Sequence, residues 1–237
     1  MDKKSRLIGF YDYTVVLTYI GLSISVIGMT QAIDGKFRSA IVCLALSGLC
    51  DMFDGKIARS KKNRTEEEKL FGMQIDSLCD MVCFGVYPAM ICWLLGVKGL
   101  LGWAVICFYC ICSVIRLGFF NVLETKRQRE EEGANKYYHG LPITSMAIVL
   151  PLVFMIQVFV SNAVFICALY LSLFVVGLLF ILDFKLKKPN NMMLTILVLV
   201  VAVAVVIMIL FSQFHIPKWK FPNIGFFDWL SRSVTKR

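Results

Sequence analysis

Four aspartates in the stretch DMFDGKIARSKKNRTEEEKLFGMQIDSLCD, residues 51–80, have the type and spacing to do chemistry. Asp51 and Asp54 are three positions apart, and Asp76 and Asp80 are four apart, so on helices each pair would share one face. All four sit on the flanks of segments apolar enough to enter a membrane. A carboxylate at that depth is costly unless it pairs, faces water or holds a cation. The two pairs flank one polar connector, so antiparallel helices would bring them to a similar depth. Hard oxygen ligands select Mg²⁺, Mn²⁺ or Ca²⁺ over zinc. Magnesium commonly joins one or two carboxylates to substrate phosphates. Two such ions about 3.5–4 Å apart can clamp a phosphoryl group while an alcohol attacks it. The spacing therefore predicts a metal-dependent site for a phosphate-bearing substrate.

The small residues around the aspartates fit the same reading. Gly55 and Gly72 would let a pyrophosphate or a neighbouring backbone approach the helix, and Ala58 is small for the same reason. Arg59 offers a planar, always-charged fork to phosphate oxygens. Ordinary small-residue helix packing would explain Ala58 or Gly72 taken singly.

The elements that must carry these residues are membrane spans. Of 237 residues, 58% are hydrophobic, well above the roughly 45–50% of a soluble domain. The fold expected is an all-α integral membrane protein. It would be a polytopic bundle of six transmembrane helices, a short N-terminal interfacial helix and an additional C-terminal hydrophobic helix. Spans are expected over about 13–33, 37–53 (with helix continuing through Arg59), 71–97 and 100–122. The 42 uncharged residues of 141–182 would make two more, broken at Ser161-Asn162. A last apolar run covers about 192–214. Thr65 before Glu66, Glu67 and Glu68 has the makings of a helix start, but a solvated charged loop is the preferred reading there.

The net charge of +9 comes from basic residues concentrated in short connectors, so the positive-inside rule accounts for it and nucleic acid is not an expected partner. Alternating crossings put the connectors at 55–70, 124–140 and 183–191 on the side of the N-terminus, which makes that side cytoplasmic. The opening MDKKSRLIGFYDY has no cleavable signal pattern. Seven spans would leave the basic, aromatic tail on the outer side. The nine cysteines all lie in or beside apolar runs and read as small hydrophobes, including Cys107-x-x-Cys110-x-Cys112.

Asp51-x-x-Asp54-Gly55-x-x-Ala58-Arg59 followed by Gly72-x-x-x-Asp76-x-x-x-Asp80 resembles the eight-position signature of the CDP-alcohol phosphatidyltransferases. The run from Asp76 to Ala89, DSLCDMVCFGVYPA, is similar to the phosphatidylserine synthase subgroup, as are Arg116-Leu117-x-x-Phe120-Asn121 and Gly140-Leu141-Pro142. The resemblance implies a membrane domain over residues 1–185, with 186–237 as an extra hydrophobic segment and tail. It implies that Asp51, Asp54, Asp76 and Asp80 bind a two-metal centre of Mg²⁺ or Mn²⁺, with Asp80 also the general base. It implies that Asp51, Gly55, Ala58, Arg59 and Gly72 contact the CDP moiety. The substrates implied are CDP-diacylglycerol and L-serine, and the protein would be a homodimer among membrane lipids. The setting expected is a prokaryotic cell membrane, with the active site facing the cytoplasm.

For the serine carboxylate, Arg116 is the suggested cation, with Asn121, Lys136, Tyr137 and His139 completing the pocket. Snorkelling to headgroups is the alternative for Arg116. Acceptors such as glycerol phosphate or inositol phosphate would call for several cations, and Arg116 alone stands inside a span. A divalent-cation transporter would also place carboxylates in a membrane, but would not require Gly55, Ala58, Arg59 and Gly72 at these spacings.

Overall fold

The computed structural model describes residues 9–10, 13–61, 64–129, 137–187, 198–203 and 206–207; for 14, 56–60, 128–129, 137–139 and 186–187 it describes the backbone alone. Most of the expected interfacial helix over 3–12 and most of the expected last span lie outside these residues. The chain is otherwise a helical bundle. Its helices are α1 (Val16–Ile33), α2 (Phe37–Ser60), α3 (Glu66–Asp80), α4 (Tyr87–Leu95), α5 (Gly99–Arg129), α6 (Met146–Ile156) and α7 (Asn162–Ile181).

Among the described residues, four stretches are long and apolar enough to cross a membrane: Val16–Ile33, Glu66–Leu95, Gly99–Arg127 and Asn162–Ile181. The helical stretch Ile143–Ile156 is apolar but shorter. In α2 the acidic and basic residues of its last three turns break the apolar pattern.

Helix α1 buries Thr18, Gly21, Ser25, Gly28 and Ala32, one stripe at spacings of three and four. That stripe lets α2 come close. A methyl added to Gly21 would stand 3.2 Å from Cys50 Cβ, and Ser25 donates to Ser47 Oγ at 2.9 Å across the seam.

The third span is one rod with a wide turn. Helices α3 and α4 are joined by a π-helical segment, Met81–Val86, in which the Tyr87 N–H reaches back five residues to the Val82 carbonyl. Pro88 lies just beyond and has no N–H to give the Phe84 carbonyl four residues earlier. The buried Tyr109 hydroxyl of α5 donates to that carbonyl at 2.5 Å. Such wide turns are rare and concentrate at functional sites. This one begins on the residue after Asp80.

The connections follow the sequence reading closely, with two additions. Gly96 and Gly99, at φ 126° and 76°, make the turn between α4 and α5. Lys98 in that turn sits over the Trp93 ring, and burial pushes its ammonium down to about 8. Helix α7 starts at Asn162, immediately after the predicted break. The three glutamates, expected in a solvated loop, instead open α3. Thr65 Oγ1 accepts from Glu68 N at 3.2 Å while Thr65 N donates to Glu68 Oε2 at 3.0 Å, a reciprocal cap that satisfies otherwise orphaned N–H groups. The second addition is a short antiparallel ladder, β1 (Tyr137–His139) with β2 (Lys185–Lys187), that ties two of the basic connectors together. Gly140 follows at φ 73°, its N–H donating to the Phe184 carbonyl at 2.8 Å.

Candidate metal and phosphate site

Across the connector between α2 and α3, Asp51 of α2 comes beside Asp76 and Asp80 of α3. One carboxylate oxygen from each of Asp51, Asp76 and Asp80 lies within 4.8 Å of the other two. All three side chains are half-buried. Among the described residues, no Lys, Arg or His forms an ion pair with any of them. Three carboxylates this close repel strongly where water is scarce. A divalent cation with hard oxygen ligands is the partner that such a group fits.

Asp54 is not one of this group of three within 4.8 Å. It is 6% exposed, and its Oδ2 accepts a hydrogen bond of 2.9 Å from Thr18 Oγ1, itself only 9% exposed. Helix α1 thus holds the second carboxylate of the α2 pair by a directed contact. The sequence reading did not single out Thr18. The available signal was the small-residue stripe, of which Thr18 is the member nearest the acidic end.

Gly55 lies on the turn of α2 that follows Asp51, and Gly72 lies one turn before Asp76 on α3. Ala58 and Arg59 continue α2, and their side chains lie outside what the structure describes. Gly72, Asp76 and Asp80 recur at four-residue spacing and line one face.

Helix α5 packs against α3 next to the acidic residues through Asn121. Ser77 Oγ donates to Asn121 Oδ1 at 2.7 Å, and Asn121 Nδ2 donates to Gln74 Oε1 at 3.4 Å. The amide of Asn121 is therefore engaged at both ends by α3. Arg116, more than one turn earlier, is buried at 6% exposure, so its guanidinium is inside the bundle rather than at its rim. Lys136 lies outside the described residues; Tyr137 and His139 are placed in β1 by backbone only.

A helical integral membrane protein that gathers carboxylates from two neighbouring helices at one end of its bundle defines the class. The family model for CDP-alcohol phosphatidyltransferases matches residues 14–176, more than half of the chain. The chain belongs to the CDP-alcohol phosphatidyltransferase family.

Three curated relatives show where in the family it is similar. It is 36% identical over 115 residues to a CDP-diacylglycerol–serine O-phosphatidyltransferase of Saccharomyces cerevisiae, covering 47% of this chain and 40% of that one. It is 29% identical over 155 residues to an archaetidylserine synthase of Methanothermobacter thermautotrophicus, covering 63% of this chain and 60% of the other. With a CDP-diacylglycerol–serine O-phosphatidyltransferase of Mycobacterium tuberculosis the identity is 27% over 133 residues, 56% of this chain and 45% of the relative. The chain thus spans about half the length of the curated relatives it matches.

Proposed function

We propose that this protein transfers the phosphatidyl group of CDP-diacylglycerol to the hydroxyl of L-serine, releasing CMP. The observation that carries the reading is the convergence of Asp51, Asp76 and Asp80 within 4.8 Å, on the spacing of the family signature. Serine or archaetidylserine stands in the name of each of the three relatives, which supports serine as the acceptor.

In this reading Asp51, Asp76 and Asp80, with Asp54 held by Thr18, would hold Mg²⁺ or Mn²⁺ as a two-metal centre. Bound there, the ions would supply charge neutralisation at the diphosphate and make CMP a better leaving group. Asp51, Gly55, Ala58, Arg59 and Gly72 would contact the CDP moiety. Asp80 takes the proton from the serine hydroxyl as its oxygen bonds to the lipid-side phosphorus. The bond from that phosphorus to the CMP oxygen breaks, and CMP departs. Arg116 would receive the serine carboxylate, with Asn121, Lys136, Tyr137 and His139 the further candidates for that pocket. Burial of Arg116 favours this over snorkelling. The active face is cytoplasmic, where the basic connectors and the water-soluble substrate both lie. The active assembly is a homodimer, and the membrane domain extends over residues 1–185.

The test is purified protein in detergent with CDP-diacylglycerol, Mg²⁺ or Mn²⁺, and labelled serine, glycerol phosphate or inositol phosphate in parallel. The expected result is labelled lipid from serine alone, and none without the divalent ion. Product from a phosphorylated acceptor, with none from serine, would move the protein elsewhere in the family.

A further inference from the structure

Arg64 belongs to the polar connector ahead of α3, and in sequence it reads as a solvated basic residue beside Lys61 and Lys62. The structure places it differently. Its guanidinium lies on the bare backbone of Gly72, so close that a Cβ there would stand 2.5 Å from Nη2. Nη2 donates to the Glu68 carbonyl at 3.1 Å, which fixes the fork against α3. Its Nε is buried and has no hydrogen-bond partner among the described residues. A buried donor left in that state is expensive, and a guanidinium satisfies it best with a planar or tetrahedral oxyanion.

Position decides which oxyanion. Gly72, Asp76 and Asp80 form one stripe along α3, and at about 1.5 Å per residue the glycine is roughly 6 Å along the axis from Asp76. That is about the span of a diphosphate. A diphosphate held at the carboxylate end through cations would therefore reach the Arg64 fork at the Gly72 end. Lys61, the neighbouring cation, is within 3.7 Å of Glu68 Oε1 and so is already engaged.

We propose that Arg64 is a nucleotide-recognition residue, its guanidinium on Gly72 contacting the phosphates of the CDP moiety. This rests on the reading of the site as a CDP-alcohol site. It gives the bare backbone at position 72 a role: the missing Cβ leaves room for the arginine fork, and the arginine meets the phosphate. Anionic lipid headgroups offer the same chemistry, so the experiment must separate the two sources.

CDP is titrated calorimetrically into the full-length protein in uncharged detergent with Mn²⁺, for wild type, Arg64→Ala, Arg64→Lys and Lys61→Ala. Loss of a charge-assisted contact predicts a CDP affinity lower by about tenfold or more in Arg64→Ala. Partial recovery is expected in Arg64→Lys, and a change of less than about twofold in Lys61→Ala. Gly72→Ala displaces the fork, so it should weaken CDP binding in the wild-type background and do so much less on top of Arg64→Ala. Unfolding midpoints without nucleotide check that the variants fold.

Wild-type CDP affinity in a folded Arg64→Ala overturns the proposal, as does an equal loss in Lys61→Ala. If Arg64→Ala alters only the response to phosphatidylglycerol in nanodiscs, the lipid is its partner and the proposal is wrong. If the wild-type protein itself binds no CDP, the CDP-alcohol reading fails and this inference falls with it.

Discussion

Replacing Thr18 by valine removes a hydroxyl and little else, since the two side chains have nearly the same shape. The hydroxyl donates to Asp54 Oδ2 at 2.9 Å, and both residues are nearly inaccessible to water, at 9% and 6% exposure. A solvent molecule is therefore poorly placed to take over. A hydrogen bond to a charged acceptor is worth about 1.5–3 kcal/mol. If the contact serves to hold Asp54 where the cation and nucleotide need it, that energy appears as weaker binding, about tenfold to a hundredfold. The assay is Mn²⁺ binding to detergent-solubilised protein, followed by the electron paramagnetic resonance signal of free Mn²⁺, with and without CDP. Thr18→Ser keeps the donor and should stay within about threefold of wild type. A Thr18→Val protein that binds Mn²⁺ and CDP as wild type does, or more tightly, would refute the reasoning and reduce the contact to helix packing.

Other contacts make separable predictions. Asp80→Asn should lower turnover of serine and CDP-diacylglycerol by at least about a hundredfold, the loss expected for a general base. Its unfolding midpoint should be retained or raised, because one of three mutually repelling carboxylates is gone; wild-type turnover would remove Asp80 from the chemistry. Asn121→Ala leaves the Ser77 hydroxyl without its acceptor at the α3–α5 seam and should cost about 1–3 kcal/mol of stability together with Mn²⁺ affinity, both measurable on one sample. Tyr109→Phe strips the donor from the Phe84 carbonyl and should lower stability by a similar ~1–3 kcal/mol. Its Mn²⁺ affinity should change much less than that of Asn121→Ala, because the carbonyl lies beyond the acidic face.

Helix α7 was legible in the sequence because its signal is local, a break at Ser161-Asn162, and the spans ending near 97 and starting near 100 left only a short turn between them, which Gly96 and Gly99 make at positive φ. The acidic pairs were legible because charge in an apolar run leaves few explanations. What escaped notice depends on partners far along the chain. The wide turn at Met81–Val86 follows from Pro88, but its stability requires Tyr109, 25 residues from the carbonyl it satisfies. The ladder of Tyr137–His139 with Lys185–Lys187 joins Tyr-Tyr-His to Lys-Leu-Lys, strings too short to announce a strand by their own pattern. By charge alone the glutamates before Lys69 read as a solvated loop, whereas the Thr65–Glu68 cap decides the start of α3. Arg64 was unreadable for a related reason: nothing in a run of basic side chains tells which of them folds back onto the bare backbone of Gly72.

The wide turn and the cap bear on the same face of α3 from opposite ends. The cap fixes where α3 begins and so sets the register of Gly72, Asp76 and Asp80 along it. The turn after Asp80 releases the helix from that register before the rod packs against α5 and α1. Without it, a regular α-helix through Pro88 would press the proline ring against the Phe84 carbonyl and would rotate the buried Tyr87 relative to the acidic face. Tyr87 is fully buried and donates to the Ala40 carbonyl of α2 at 2.6 Å. The π segment thus lets one rod satisfy two demands on its rotation, an acidic face aimed at α2 near one end and an aromatic face aimed at the same helix farther in. Deleting one residue of Met81–Val86 to restore a regular helix should therefore spoil either the Tyr87 contact or the meeting of Asp80 with Asp51. Mn²⁺ affinity and unfolding midpoint of the deletion variant would show which; retention of both would mean the turn carries no such constraint.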